Sequence, residues 1–129
     1  MAVNAERPPL GYPPERRLRR KTDFDAVYGR GRRVVSDALF TMNVLANNAA
    51  GARLGMAVAA KLAGNAVQRN RIRRVIRESF RLQQLSLPSF DIVVGTRAAV
   101  RGATNVKLRE SLQKLWPRLI SACAKLPAS

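Results

Sequence analysis

The stretch Gln68-Arg69-Asn70-Arg71-Ile72-Arg73-Arg74-Val75-Ile76-Arg77-Glu78-Ser79-Phe80-Arg81 holds six arginines and one acid, and its spacing decides what those arginines could do. At about 100° per residue, Ile72, Val75, Ile76 and Phe80 fall on one arc of a helix. Asn70, Arg73, Arg74, Arg77 and Arg81 fall on the opposite arc. If the apolar arc docks on a core, the other arc faces outward as a rigid row of guanidiniums. Each guanidinium offers a planar fork of donors that matches anionic oxygens, so the row suits a phosphate backbone.

Other chemistries are poorly supplied. The chain has no histidine and one cysteine, Cys123. Histidine-based nucleophilic triads and general bases are therefore excluded, as are the usual zinc cages. No phosphate-cradling glycine loop is present. A metal-dependent nuclease acting alone would need clustered carboxylates. The eight acids, Glu6, Glu15, Asp23, Asp25, Asp37, Glu78, Asp91 and Glu110, are scattered, and only Asp23 and Asp25 are close together. If the protein takes part in chemistry, its own side chains do not perform it.

The charge balance points the same way. Lys and Arg number 24 against 8 Asp and Glu, a net charge of +16 over 129 residues. Such self-repulsion opposes compaction unless a polyanion offsets it, and the basic groups are clustered as well as numerous. Arg16, Arg17, Arg19, Arg20 and Lys21 fill five of six consecutive positions. They read as a flexible N-terminal phosphate clamp, the alternative being a solvated lead-in to the first helix. A membrane surface is the other use for a basic amphipathic helix. Here, however, the apolar arc carries side chains that a small domain needs for its core. No apolar run approaches the roughly 20 residues of a spanning helix. Nor does the N-terminus read as a signal peptide, so a cytoplasmic location is expected.

The elements that must hold the arginine row can be placed in outline. Residues 1–15, with Pro8, Pro9, Pro13 and Pro14, read as an extended mobile tail. Thr22 is expected to cap a short first helix that Gly29 and Gly31 stop. Val34 to Ala46 is rich in strand formers, with Phe40, Met42 and Val44 on one face, and a separate short strand near Arg33–Val35 is an option. Leu54, Met56 and Val58 alternate in a further strand, expected to pair with the preceding one as an antiparallel hairpin. The arginine helix starts near Ala66 and runs to about Leu85, ahead of Pro88. Phe90 to Thr96 is a compact apolar run, expected as a buried strand. A final helix capped by Thr104 or Asn105 carries Leu108, Leu112, Leu115 and Leu119, and Pro117 should kink or stop it. Residues 121–129 read as a frayed tail. The order implies one α/β domain with helices packed on one sheet.

The details match a known pattern. Lys61, then Arg69-Asn70-Arg71-Ile72-Arg73-Arg74, then Arg77-Glu78-Ser79-Phe80-Arg81 resembles the signature of the bacterial ribonuclease P protein family. Lys21-Thr22-Asp23-Phe24-Asp25-Ala26-Val27-Tyr28 resembles that family's first helix. Leu87-Pro88-Ser89-Phe90-Asp91-Ile92-Val93-Val94 resembles its last strand, and Leu112-Gln113-Lys114-Leu115-Trp116 its final helix. The resemblance covers residues 16–120. It implies a small α+β sandwich similar to the ribosomal S5 second-domain fold, in the order α-β-β-β-α-β-α. A left-handed β-α-β crossover is implied as well, against the general rule of hand.

In function, the resemblance implies the protein partner of a catalytic RNA, one protein with one RNA. That RNA, with magnesium or another divalent metal, removes the 5′ leader from precursor tRNA. The protein itself would bind no cofactor, no membrane and no DNA. Two surfaces carry over. Arg69, Asn70, Arg71, Arg73, Arg74 and Arg77, with Lys61, Gly64 and Asn65 at the start of the helix, match the contact with the catalytic RNA. Phe24, Tyr28, Phe40 and Met42 match a cleft for the single-stranded leader, where apolar platforms beside cations receive bases. For these four the alternative is core packing. The chain departs from the family pattern at Ala60, where many relatives carry a second lysine. It also departs at Met42, where an aromatic is expected, and at Pro117.

A ribosomal or RNA-chaperone protein is the competing reading. The Arg-Asn-Arg block with its downstream Phe80-Arg81 discriminates against it. A helix-turn-helix is disfavoured by the strands flanking the arginine helix.

Overall fold

The computed structural model describes residues 12–126. Most of the tail assigned to residues 1–15, and residues 127–129, lie outside the described residues.

Helix α1 spans Lys21–Arg30. It begins one residue before Thr22, so Thr22 is not its cap. Arg20 takes that place without a side-chain hydrogen bond. The first turn is held instead by Lys21, whose ammonium pairs with Asp25 at 2.9 Å. Gly31 ends the helix, its N–H donating to the Val27 carbonyl at 2.9 Å. A Cβ on Gly31 would lie 2.1 Å from the Val44 carbonyl oxygen. Only glycine lets the chain turn so close to the sheet.

Strands β1 (Arg32–Ser36) and β2 (Phe40–Ala46) form an antiparallel hairpin with a bulge between Arg33 and Val35. Asp37 makes the turn: its Oδ1 accepts from the N–H groups of Leu39 and Phe40, both at 2.9 Å. Strand β3 (Arg53–Ala57) follows after a loop, and β4 (Phe90–Thr96) comes much later. The sheet order is β1-β2-β4-β3. The expected hairpin between β2 and β3 therefore does not form. Strand β4 lies between them, antiparallel to β2 and parallel to β3. Alternation in β2 and β3 fixes which side chains face the core, but not which strand sits beside which. The deciding feature is in β4, where Asp91 to Thr96 are all buried. A strand covered on both faces belongs at the centre of a sheet. Across the β3–β4 pair, Arg53 forks Asp91 with two bonds of 2.7 Å, and Asn47 donates to the same carboxylate at 2.8 Å.

Between β3 and β4 the chain crosses over through a short helix α2 (Ala60–Ala63) and the long helix α3 (Ala66–Gln83). Gly64, at φ 106°, makes the sharp link that other residues would strain to make. Asn65 caps α3 by accepting from the Gln68 N–H at 2.9 Å. Ile72, Val75, Ile76 and Phe80 are its buried residues, the arc that the sequence spacing selects.

Helix α4 spans Asn105–Ala124, capped by Thr104. It passes through Pro117 and takes in residues read as a frayed tail, with Cys123 buried. Proline removes one backbone donor. Here its ring sits on the exposed side while Trp116 and Leu119 are fully buried. Packing on both sides of Pro117 carries the helix past it.

The result is three layers. The main core lies between one sheet face, with Phe40, Met42, Val44, Leu54, Ile92 and Val94, and helices α3 and α4. Trp116 donates its indole N–H to Ser79 at 2.8 Å, joining the two helices. On the other sheet face, a smaller cluster of Leu18, Val27 and Val93 lies under α1, with Phe24, Leu45 and Ala57 against it.

Candidate nucleic-acid interface

Helix α3 sorts its arginines by what they touch. Arg69 donates to the Gly64 carbonyl at 3.1 Å, closing the turn at the helix start. Arg71 donates to the Gln68 side chain and reaches Asn105 on α4 at 2.7 Å. Arg81 pairs with Glu78, which holds the Glu78 carboxyl below its ordinary value. Asn70 and Arg74 are exposed and Arg73 and Arg77 half-buried, and these four side chains have no hydrogen-bond or ion-pair partner among the described residues. Lys61 is exposed on α2. Gly64 and Asn65, assigned from the resemblance to RNA contact, have evident local duties as link and cap.

The N-terminal basic run is not flexible throughout. The Leu18 N–H donates to the Leu54 carbonyl at 2.8 Å, and Arg17 bridges Leu54 in parallel, so the segment lies along the outer edge of β3. Arg16 reaches the Ala52 carbonyl at 3.4 Å. Arg17 donates through Nε to the Tyr12 carbonyl at 2.8 Å and lies over the Tyr12 ring. Tyr12 in turn donates its hydroxyl to the Leu54 carbonyl at 2.9 Å and packs edge-on against Phe80. Burial raises the Tyr12 hydroxyl above its ordinary value against the opposing pull of Arg17, Arg77 and Arg19, so it remains a neutral donor. Arg19, Arg20 and Lys21 are exposed.

These pieces meet at one place. An open depression of about 580 Å³ at the β3 edge is lined by Tyr12, Arg17, Leu18, Arg19, Phe24, Met56, Arg73 and Arg77. Four guanidiniums from two separate segments surround apolar and aromatic groups. Neither the part played by Tyr12 nor the meeting of Phe24 with Arg73 and Arg77 is visible in the sequence. The available signal was Tyr12 itself, an aromatic set against Pro13-Pro14 and five residues before Arg17.

The four residues assigned to a cleft divide between the two faces of the sheet. Phe24, half-buried, and Tyr28, 50% exposed, lie on α1. Phe40 and Met42 are fully buried on the opposite face, within the main core. They do not line a cleft with α1, and core packing accounts for them. Side chains alternate along a strand, so the residues on the α1 face of β2 are the neighbours Thr41, Asn43 and Leu45. Gly55 belongs to the same face, where its missing Cβ would meet the Phe24 ring at 2.8 Å.

Among the described residues no three acidic or thiol side chains stand close enough to hold a metal ion. No helix among them is long and apolar enough to cross a membrane.

A basic three-layer domain that gathers Arg17, Arg19, Arg73 and Arg77 around aromatic and apolar groups has the charge and shape to receive a polyanion. The family model for ribonuclease P matches residues 12–120, and the chain belongs to that family. The ribonuclease P protein component of Thioalkalivibrio sulfidiphilus is 43% identical over 114 residues, covering 88% of this chain and 94% of its own. That of Serratia proteamaculans is 38% identical over 120 residues, covering 93% and 98%. Among solved structures, the Staphylococcus aureus ribonuclease P protein matches with a TM-score of 0.73 at 32% identity, covering 85% of this chain and 95% of its own. The Thermotoga maritima protein matches with a TM-score of 0.70 at 32% identity, covering 79% and 96%. Membership implies a part in tRNA 5′ processing within an endoribonuclease complex that includes RNA.

Proposed function

We propose that this protein is the subunit that binds both the catalytic RNA and the 5′ leader of precursor tRNA, while the RNA performs the cleavage. The observation that carries this reading is the depression where Arg73 and Arg77 of α3 meet Phe24 of α1. An RNA strand bound along α3 passes directly onto the α1 face of the sheet. The exposed Asn70 and Arg74, with the half-buried Arg77, face the catalytic RNA, with Lys61 beside them. Phe24 and Tyr28 offer platforms to unpaired bases, and Thr41 and Asn43 offer polar groups beneath them. Arg17 and Arg19 close the basic rim.

On this reading the RNA holds the divalent metal of the reaction; among the described residues no three acidic or thiol side chains stand close enough to hold one. The RNA also performs the cleavage on this reading, in keeping with a chain that has no histidine to serve as general base.

Reconstitution tests the reading. The purified protein with magnesium is expected to leave precursor tRNA intact. Adding the ribonuclease P RNA should restore cleavage at the mature 5′ end at low salt and low protein concentration. Site-specific cleavage by RNA-free protein would overturn the division of labour. Stimulation of RNA annealing without any effect on the ribonuclease P RNA would favour a ribosomal or chaperone role.

A further inference from the structure

A second groove runs along the seam between α3 and α4. Its volume is about 240 Å³, and it is lined by Arg74, Val75, Glu78, Ser79, Leu82 and Gln83 from α3, and by Asn105, Arg109 and Gln113 from α4. The α4 residues recur every four positions, so one stripe of that helix forms a whole wall. The floor is apolar: Val75 is buried, while Leu82 is 58% exposed. Around it stand two guanidiniums, Arg74 and Arg109, and two carboxamides, Gln83 and Gln113, without a side-chain partner among the described residues. The acid in the lining, Glu78, is already paired with Arg81, and the carboxamide of Asn105 is taken by Arg71.

We infer that this groove takes one unstacked nucleotide of the RNA that the arginine helix binds. An apolar floor suits the face of a base, a carboxamide can donate to and accept from a base edge, and a guanidinium binds the flanking phosphate. The charge sign favours RNA over an acidic-free apolar peptide, and the position favours it further. Arg74 lines this groove and also belongs to the outward row of α3, so a backbone tracking that row runs past the groove mouth. The inference rests on the proposed RNA-binding role of α3, and the experiment separates the two.

The probe is the ribonuclease P RNA transcribed in vitro. Its affinity is measured across a salt series for wild type, Leu82→Ser/Gln113→Ala, Arg109→Ala and Arg73→Ala. All four altered positions lie off the core, and thermal melting checks each fold. The Leu82→Ser/Gln113→Ala variant should lose about 5-fold or more in affinity, since a leucine offers less to a base face than the aromatic platforms for which losses of about 5- to 150-fold are typical. Its salt dependence should keep the wild-type steepness, because no phosphate contact is removed. One nucleotide of the RNA, protected from dimethyl sulfate by wild type, should become reactive. Arg73→Ala should instead flatten the salt dependence. Wild-type affinity in the groove variants beside weakened Arg73→Ala would overturn the groove and leave the RNA-binding helix standing. Unchanged affinity in all variants would overturn both. Should the double variant melt early, Gln113→Phe fills the groove from an exposed position and must reproduce the loss. Tight binding by that variant would overturn the inference. So would protection of Leu82→Cys from maleimide by a Glu-rich peptide but not by the RNA, which would give the groove to a protein partner.

Discussion

The guanidinium of Arg17 lies 4.9 Å from the centroid of the Tyr12 ring, while its Nε donates to the Tyr12 backbone carbonyl at 2.8 Å. The ring takes the face of the guanidinium and the carbonyl takes Nε, while Arg17 also lines the depression shared with Arg73 and Arg77. A side chain that enters binding already ordered loses less entropy on meeting a phosphate.

Tyr12→Leu should therefore weaken RNA binding although residue 12 carries no charge. A cation–π contact at such a site contributes about 0.5–1 kcal/mol, and the expected loss in affinity is about 2- to 5-fold. Tyr12→Phe keeps the ring and loses only the bond to the Leu54 carbonyl, so it should bind RNA almost as wild type does. Titration of both variants against the ribonuclease P RNA checks this, and equal losses would mean that Arg17 is not held by the ring.

Arg73→Ala and Arg77→Ala should weaken binding to the catalytic RNA without unfolding the domain. Each should also reduce the slope of log affinity against log salt by about one unit. Ile76 is fully buried about three turns into the same helix. Its replacement by alanine should cost about 2–5 kcal/mol of stability through the cavity it leaves. Denaturant melts and a salt series together check the orientation of α3. A melted Arg77→Ala beside a silent Ile76→Ala would invert it.

Asp37 links the β1–β2 turn to α4. Partial burial pushes its carboxyl up, but the Ser111 hydroxyl, the N–H groups of Phe40 and Leu39 and the charge of Arg118 outweigh that, and the carboxyl titrates below the ordinary 3.8. A carboxyl whose folded value is depressed stabilises the fold above its unfolded value. That contribution drains away as pH falls through the folded value. Stability should thus fall as pH drops below 3.8, and Ser111→Ala, which brings the folded value closer to the unfolded one, should be less stable at neutral pH and lose less of its stability in acid. Asp37→Asn should be less stable than wild type at neutral pH and show a shallower acid limb. Chemical denaturation between pH 2 and pH 7 would decide, and parallel acid limbs for all three proteins would remove Asp37 from the account.

How much of this was legible in the sequence depends on the kind of information each feature needs. The buried arc of α3 was readable because Ile72, Val75, Ile76 and Phe80 repeat at the helical period, and the period alone decides the face. The order of elements followed from similar local patterns. Strand partners were not readable. Leu54 and Met42 alternate correctly whether β3 lies beside β2 or one strand away, and only the placement of Val93 and Val94 at the sheet centre separates the cases. The α3 arginines share one sequence pattern, yet Arg71 is committed to Gln68 and Asn105 while Arg74 has no side-chain partner among the described residues. That difference depends on α4, 34 residues away in sequence. Pro117 does not stop α4, because Trp116 and Leu119 on either side of it are buried in the core, and that packing is not visible in the local sequence.

The division of Phe24 from Met42 gives the sharpest test of the leader site. Phe24 is half-buried against the smaller cluster under α1 and lines the depression, whereas Met42 is fully buried in the main core. Only precursor tRNA carries a single-stranded leader, so a base platform should matter for precursor and not for mature tRNA. A base stacked on an aromatic side chain contributes about 1–3 kcal/mol by alanine substitution. Phe24→Ala should therefore narrow the affinity gap between the two tRNAs in the reconstituted complex by about 5- to 150-fold. Asn43→Ala, on the same sheet face, should narrow it by less. Met42→Ala should behave as a core truncation, costing about 2–5 kcal/mol of stability. Where it still folds, it should leave the precursor-to-mature ratio unchanged. Binding of both tRNAs, with melting as the control, separates these outcomes. An equal loss for precursor and mature tRNA in Phe24→Ala would return that ring to the packing under α1. A selective loss of precursor in Met42→Ala would mean that the leader reads the other face of the sheet.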